Sequence, residues 1–357
     1  MSGIGTSSWH TFVIAEAGVN HNGQVGVAMQ LVDAALSAGA DAIKFQTFHA
    51  TRVASSQAHM ADYQQVNTGI AGSQLDMLKQ LELTTDQFTE VHRYCESKGL
   101  LFLSTPADEI SLSFLVSHLR VPAIKIGSGE VTNLRFLRQI ARAGLPIILS
   151  TGMSTLAEVA MAVDELLSYQ PHVASGLFPP LTLLHCTTNY PCPYDEVNLS
   201  AMVTLRNAFH LPVGYSDHTL GSAIPTAAVA LGATIIEKHL TLDKTLPGPD
   251  HAASANPTEF AQMVQSIRAV EAGMGDGIKR PNASELATAV VVRRRIVAAE
   301  DLPADTVLTN TNIALKRSAS GIDARYIDMV VGFRLLNGVT GDQGITWADL
   351  KEVHHDR

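Results

Sequence analysis

Residues 12–23 read FVIAEAGVNHNG. A β-type apolar run passes directly into a polar turn, so the stretch is a strand followed by the loop that opens a helix. In an open, doubly wound sheet this first turn carries a G-x-G-x-x-G phosphate loop. Here Ala17-Gly18-Val19-Asn20-His21-Asn22-Gly23 lacks that spacing. The other architecture built from parallel strands is a closed barrel.

Working outward, seven more runs of the same kind follow: 41–48 (DAIKFQTF), 101–107 (LFLSTPA), 123–130 (AIKIGSGE), 146–152 (PIILSTG), 181–191 (LTLLHCTTNYP), 212–219 (PVGYSDHT) and 234–242 (TIIEKHLTL). Their near-continuous apolar character marks strands buried on both faces, as in parallel sheets. Amphipathic helices are predicted between them, at 24–38, 154–169 and 219–231 among others. Thr155-x-x-Glu158 fits a capping box at the start of the second of these. Gly39, Gly99, Gly144 and Gly232 punctuate the passages from helix to strand. Eight β-then-α units over about 270 residues match a TIM barrel.

The pattern changes after Ala272. Residues 273–285 (GMGDGIKRPNASE) are rich in Gly, Pro and Asn and read as a linker. The expected organisation is a barrel over 1–272, a linker over 273–289 and a small β-rich domain over 290–357. A chain of 357 residues exceeds the size at which single cores usually stop growing. A last segment of about 65 residues is marginal alone and is expected to pack on something.

Composition narrows the function classes. With 46% hydrophobic and 17% charged residues the chain is globular. It contains no run of about 20 apolar residues of the kind a membrane helix needs. The opening MSGIGTSSWH has neither a basic nor an apolar signal region, so a cytoplasmic location is expected. Cys95, Cys186 and Cys192 are too few for a disulfide framework and are expected to be reduced, with Cys186 in the core. A nucleophilic role for Cys192 lacks an activating neighbour in sequence. Lys plus Arg number 25 against 34 Asp plus Glu, a formal charge of −9 without a basic tract, which argues against nucleic acid as a partner.

Every barrel strand finishes in polar or glycine residues: Glu16; Lys44 and Gln46; Ser104 and Thr105; Lys125 and Ser128; Ser150 and Thr151; 187–190; Ser216 to His218; Glu237 to His239. Any one of these reads as a loop residue or a satisfied polar group. All eight on the side that precedes the helices read as a site, because in TIM barrels that face carries the chemistry. Burying so many polar groups without a ligand is costly. Lys44 and Lys125, with the hydroxyls of Thr105, Ser128 and Ser150, suit a phosphate, or a phosphate and a carboxylate together. The competing readings are a lysine paired with Glu16 or Glu130, or a Schiff-base lysine. His218 and His239 end neighbouring strands and suit a divalent ion such as Mn²⁺, Fe²⁺ or Zn²⁺, with water and substrate in the remaining positions. Glu237 and Asp217 flank them and are placed to orient a bound water or an imidazole N–H. Residues 246–251 (LPGPDH) form either a plain turn or a loop whose Asp250 accepts hydrogen bonds from sugar hydroxyls.

These residues, in this order, resemble the sialic acid synthase family, which condenses phosphoenolpyruvate with an N-acylated mannosamine-type sugar. IAEAGVNHNG, AGADAIKFQT, FLSTP, IKIGSGE, LSTGM, LHCTTNYP, YSDHTLG, IIEKHLTLD and PGPDH carry the resemblance through the barrel. GDGIKRPNASE, AAEDLPADTVLTNTNIALKR and GITWADL extend it into a C-terminal segment similar to the family's antifreeze-like (SAF) domain. The resemblance implies that Lys44, Thr105, Lys125, Ser128 and Ser150 hold phosphoenolpyruvate, with Ser216 beside them, and that His218 and His239 carry Mn²⁺ or Mg²⁺. Glu16, Gln46, Tyr190 and Asp250 would meet the open-chain sugar. Glu16, Glu237 and the two histidines would form the catalytic group. Arg317 would reach from the antifreeze-like domain of one subunit into the barrel of the other, which implies a homodimer with exchanged domains.

Departures from the family pattern gather near the sugar: Ala107 after Pro106, Thr188 beside Asn189, and Ser318-Ala319-Ser320-Gly321 after Arg317. The resemblance allows two acceptors, N-acetylmannosamine leading to N-acetylneuraminate, or a 2,4-diacetamido-2,4,6-trideoxymannose leading to N,N'-diacetyllegionaminate. Residues 63–83 are similar to members acting on either. A Schiff-base aldolase using Lys125 or Lys238 is the rival enzyme class. An ice- or glycan-binding protein is the non-enzyme reading, suggested by the C-terminal segment alone.

Overall fold

The computed structural model describes residues 10–68, 73–171, 173 and 176–351. The opening nine residues, positions 69–72 of the 63–83 stretch and the last six residues lie outside the described residues. The chain divides into two compact units, Met1–Asp276 and Gly277–Arg357.

The first unit is an α/β barrel. Its strands are β1 (Phe12–Gly18), β2 (Ala42–Thr47), β3 (Leu101–Pro106), β4 (Ile124–Ile126), β5 (Ile147–Ser150), β6 (Leu181–Cys186), β7 (Val213–Asp217) and β8 (Ile235–His239). They form one eight-stranded sheet in the order β3-β2-β1-β8-β7-β6-β5-β4. Every pairing in it is parallel, and the β1–β8 pair joins the first strand to the last. The two ends, β3 and β4, lie side by side without a ladder hydrogen bond, so the barrel is nearly closed.

Strand alternation sorts the side chains. Val13, Ile43, Phe45, Ile124, Leu149, Tyr215 and Ile236 face outward into a core shared with helices that include Val25–Ser37, Thr85–Lys98, Leu156–Tyr169 and Pro257–Met274. Ile14, Ala42, Leu103, Ala123, Ile148, Leu184 and Ile235 face inward, and Phe178 joins them. Phe12 meets Phe178 edge to face, with ring centroids 4.9 Å apart, sealing this end of the barrel interior. Full burial of each such side chain stabilises by about 1.5–3 kcal/mol.

Several elements stop earlier than the sequence pattern predicts. β4 ends at Ile126, and Ser128–Glu130 is a single 3₁₀ turn, because Gly127 and Gly129 supply no side chain for a pleat. β6 ends at Cys186, and 187–191 turn away to a cis Tyr190–Pro191 bond. The helix predicted from 219 begins at Ala223, which leaves Pro225 in its first turn. A start at 219 would put that proline inside the helix, where its ring clashes and its missing N–H breaks the ladder. The capping box at Thr155 and Glu158 is present, with both reciprocal hydrogen bonds.

In the second unit, β9 (Arg294–Ala298) pairs antiparallel with β10 (Ile313–Arg317), and β11 (Arg334–Leu335) with β12 (Leu350–Lys351). Ile296, Leu308, Val330, Leu335 and Ile345 form its own core. A helix at Ala283–Val292, capped by Asn282 and Glu285, takes up the last part of the stretch predicted as linker, residues 283–289.

Candidate active site

Two residues further along each strand the barrel interior changes character. Glu16, Lys44, Thr105, Lys125, Ser150, Cys186, Ser216 and Glu237 follow Ile14, Ala42, Leu103, Ala123, Ile148, Leu184, Gly214 and Ile235, respectively. The period of two puts both sets on the inner face, one layer apart.

The charged members of the upper layer form one chain of contacts in which the sign alternates, Glu16–Lys44–Glu237–Lys125. Lys44 Nζ lies 2.6 Å from Glu16 Oε2 and 3.8 Å from Glu237 Oε2, and it donates to Thr105 Oγ1 at 3.1 Å. Lys125 Nζ lies 3.6 Å from Glu237 Oε1 and donates to Ser150 Oγ at 2.7 Å and to the carbonyl of Ile126. Ser216 Oγ donates to Glu237 Oε1 at 3.2 Å, and Gln46 Nε2 to Glu16 Oε1 at 3.0 Å. Both lysines are 2% exposed, so these charges interact with little screening by water.

The environment separates the titrations. Burial opposes the charge on Lys44, but Glu16 and then Glu237 outweigh it and hold the ammonium on. Burial lowers Lys125. Burial would raise Glu237, yet Lys125 and Lys44 together hold it below the usual carboxylate range. Glu16 is raised by burial, against the pull of Lys44. Glu237 stands between two ammoniums whereas Glu16 contacts one, so Glu16 is the carboxyl that takes up a proton first.

The rim lies above this layer. Ser128 Oγ is 3.2 Å from Cys186 Sγ and accepts from the backbone N–H of Gly152 at 2.9 Å. A Cβ on Gly152 would stand 2.5 Å from Thr188 Oγ1 and 2.9 Å from Ser128 Oγ, so glycine is needed for this close approach. The ring of Tyr190 lies 4.1 Å from that of His218 and 5.6 Å from that of His239, and the two imidazoles are 5.6 Å apart. His239 Nδ1 lies 3.8 Å from Asp250 Oδ2. Burial, with some contribution from Glu16, pushes Asp250 up to about 7.

The histidine pair suits a divalent ion. His218 Nδ1 donates to the carbonyl of Thr187, which leaves Nε2 with its lone pair. His239 Nδ1 and Glu237 Oε2 are buried without a hydrogen-bond partner among the described residues. Burial holds both imidazoles toward their neutral, ligating form, strongly so for His239. Among the described residues no group of three or more His, Cys, Asp and Glu side chains is arranged to hold an ion.

Most of the sequence-predicted residues therefore meet at one end of the barrel, and the exceptions are informative. Asp217 and Lys238 face outward, away from the histidines' ring nitrogens, and pair with each other at 2.5 Å. Neither can orient a water inside the barrel, and Lys238 is no candidate for a Schiff base there. Glu130 accepts from Asn133 Nδ2 instead of meeting a lysine. Lys44 does pair with Glu16, within the site. Arg317 ends β10 of the second unit and is exposed. Two participants were missed. Cys186 is buried as expected, but its phase, two residues after Leu184, turns its thiol toward Ser128. Asn20 braces the rim by donating to the Leu240 carbonyl and Ser254 Oγ, each at 2.9 Å. Its side-chain contacts span more than 200 residues, which no local pattern reveals.

The NeuB family model matches residues 31–279, and the SAF domain model matches 293–351. The N,N'-diacetyllegionaminic acid synthase of Legionella pneumophila is 45% identical, over 97% of this chain and 96% of its own. The human N-acetylneuraminate-9-phosphate synthase is 34% identical, over 94% of this chain and 91% of its own. A solved structure, the N-acetylneuraminic acid synthetase of Leptospira borgpetersenii, is similar with a TM-score of 0.68 and 34% identity, covering 80% of this chain and 94% of its own. Among the described residues no helix is long and apolar enough to cross a membrane. The chain belongs to the NeuB family and is an enzyme of the phosphoenolpyruvate-dependent, C–C bond-forming type, with a C-terminal SAF domain.

Proposed function

We propose that the chain condenses phosphoenolpyruvate with the open-chain form of an N-acylated mannosamine-type sugar, consuming water and releasing phosphate to give a nine-carbon sialic-type acid. The observation that carries this reading is the pair of buried ammoniums, Lys44 and Lys125, with Thr105, Ser128 and Ser150 around them. Two buried cations and several hydroxyls match a substrate that carries a phosphate and a carboxylate.

In this reading C3 of the enol attacks the sugar aldehyde and water adds at C2. The resulting tetrahedral centre then expels phosphate. Glu237, held ionised by the two lysines, orients the water and accepts its proton at a carboxylate oxygen. Glu16, held toward its protonated form, donates to the former aldehyde oxygen as it becomes a hydroxyl. Gln46, hydrogen-bonded to Glu16, and Tyr190 with Asp250 line the sugar side. His218 and His239 would hold Mn²⁺ or Mg²⁺, which supplies Lewis-acid polarisation of a carbonyl oxygen when bound. Fixing the two substrates face to face contributes a large share of the acceleration. Arg317, within the segment that the SAF model matches, would complete the sugar site from the partner subunit of a homodimer.

The acceptor is read at two levels. An N-acylated mannosamine-type aldose is the common denominator, with N-acetylmannosamine as its simplest member. The higher identity to a named legionaminic acid synthase, 45% against 34% for the human enzyme, favours a 2,4-diacetamido-2,4,6-trideoxymannose as the second reading. Phosphate release from phosphoenolpyruvate, measured with each sugar in turn, tests both. Acceptor-dependent release is expected. If phosphoenolpyruvate yields no phosphate with any N-acylated mannosamine-type sugar, the reading fails.

A further inference from the structure

The buried ion pair between Asp217 and Lys238 has no place in the chemistry above, yet the two residues directly adjoin the two histidines. Asp217 is followed by His218, and Lys238 precedes His239. Asp217 and Lys238 are register partners on β7 and β8. Their side chains are 0% and 4% exposed, on the outer face of the barrel wall. Burying an ion pair there is not a stability device in itself, because well-packed apolar residues do as well or better. Its geometry suggests another use.

Asp217 Oδ1 accepts from the backbone N–H of Thr219 at 3.0 Å and from its hydroxyl at 2.8 Å. A side-chain carboxylate bonded to the N–H two residues on closes an Asx turn, and His218 is the residue inside that turn. Lys238 Nζ spans the same turn from the neighbouring strand, donating to Asp217 Oδ2 at 2.5 Å and to the Thr219 carbonyl at 2.7 Å. The backbone of His218 is held from a third direction, since its carbonyl accepts from the N–H of Cys192 at 2.8 Å. One outward-facing clamp thus fixes the backbone at His218 and ties it to the residue next to His239.

We propose that Asp217 and Lys238 are positioning residues for the histidine pair, acting through the backbone turn rather than by contact with substrate. The inference rests on the metal reading of His218 and His239 only for its first readout. The clamp sets the separation and direction of the two imidazoles, as outlying contacts commonly do for ligating histidines.

The test compares the wild type, Lys238→Met, Asp217→Asn and the double variant, with His218→Ala as reference. Lys238→Met leaves an uncompensated buried carboxylate and should lower the melting temperature. Asp217→Asn/Lys238→Met removes both charges, keeps an acceptor for Thr219, and should melt close to the wild type. Mn²⁺ affinity, read by electron paramagnetic resonance on metal-free protein, should nevertheless fall about ten- to a hundredfold in the double variant. ¹⁵N spectra of the imidazoles without metal should show the single Nδ1–H tautomer of His218 giving way to a mixture. A double variant that folds and keeps both wild-type Mn²⁺ affinity and a single tautomer would overturn the proposal. If the wild type binds Mn²⁺ no better than His218→Ala, it is the metal reading that fails. The ¹⁵N spectra then decide the positioning role by themselves.

Discussion

Two layers of side chains inside the same barrel differ in almost everything but their backbone. The lower one (Ile14, Ala42, Leu103, Ala123, Ile148, Leu184 and Ile235) is apolar and sealed by Phe178. The upper one, two residues on and about 7 Å further along each strand, is charged or hydroxyl-bearing at seven positions and carries the Cys186 thiol at the eighth. Strand pairing is common to both, so the ladder hydrogen bonds do not distinguish them. The contrast teaches that folding and chemistry are carried by adjacent layers of one scaffold. The lower layer excludes water and fixes strand spacing. The upper layer holds charges that gain little from being buried until a ligand arrives.

The largest effect expected from that division is catalytic. Glu237→Gln keeps the shape and the Ser216 contact but removes the ionised oxygen, and kcat should fall by about 10²–10⁴. The denaturation midpoint should fall, because Lys44 keeps Glu16 but the buried Lys125 loses the carboxylate beside it. A Glu237→Gln protein that retains wild-type turnover would erase the contrast between the layers.

The reciprocal change lies in the lower layer. Ile148→Ala removes a fully buried side chain and should cost about 2–5 kcal/mol in chemical denaturation. KM for phosphoenolpyruvate should stay at the wild-type value. A large KM change with stability intact would mean that Ile148 shapes the site directly.

How much of this was legible follows from the same geometry. The polar ends of β1, β2 and β8 are written in FVIAEAG, AIKFQT and IIEKH, and they put Glu16, Lys44 and Glu237 at one end of the barrel, where the structure brings them together. Polar residues at strand ends were also visible, but their phase was easy to overlook. Asp217 and Lys238 were grouped with the histidines beside them in sequence, although a period of two turns neighbours to opposite sides of the wall. Where the chain leaves the sheet the period ends. Ser128 and Tyr190 were therefore placed by turns, one held by Gly127 and Gly129, the other by the path of 187–191. Long-range braces such as Asn20 to Leu240 have no local signal at all.

A smaller effect should appear with pH, at the rim above both layers. The lower layer has no titratable group. By contrast, burial lowers His21 and His251 to about 4 each. Their folded-state values lie below the unfolded value near 6.5, so the unfolded chain binds more protons in that interval. Their contribution to stability is complete above pH 6.5 and is lost as pH falls from 6.5 toward 4. Denaturation midpoints at pH 7 and 5 should therefore differ. His251→Gln, which keeps hydrogen-bonding capacity toward Thr241 and Asn22, should narrow the difference. An unchanged slope would assign the acid sensitivity elsewhere.

The division of labour rests most heavily on Lys44 and Lys125, the cations that the upper layer keeps buried. Titration calorimetry with phosphoenolpyruvate alone, on the wild type and on Lys44→Met/Lys125→Met, measures it directly when paired with the melting temperature of each. The account predicts saturable binding to the wild type, and a double variant that is folded but has lost binding by at least about a hundredfold. A folded double variant that binds phosphoenolpyruvate as the wild type does would contradict it.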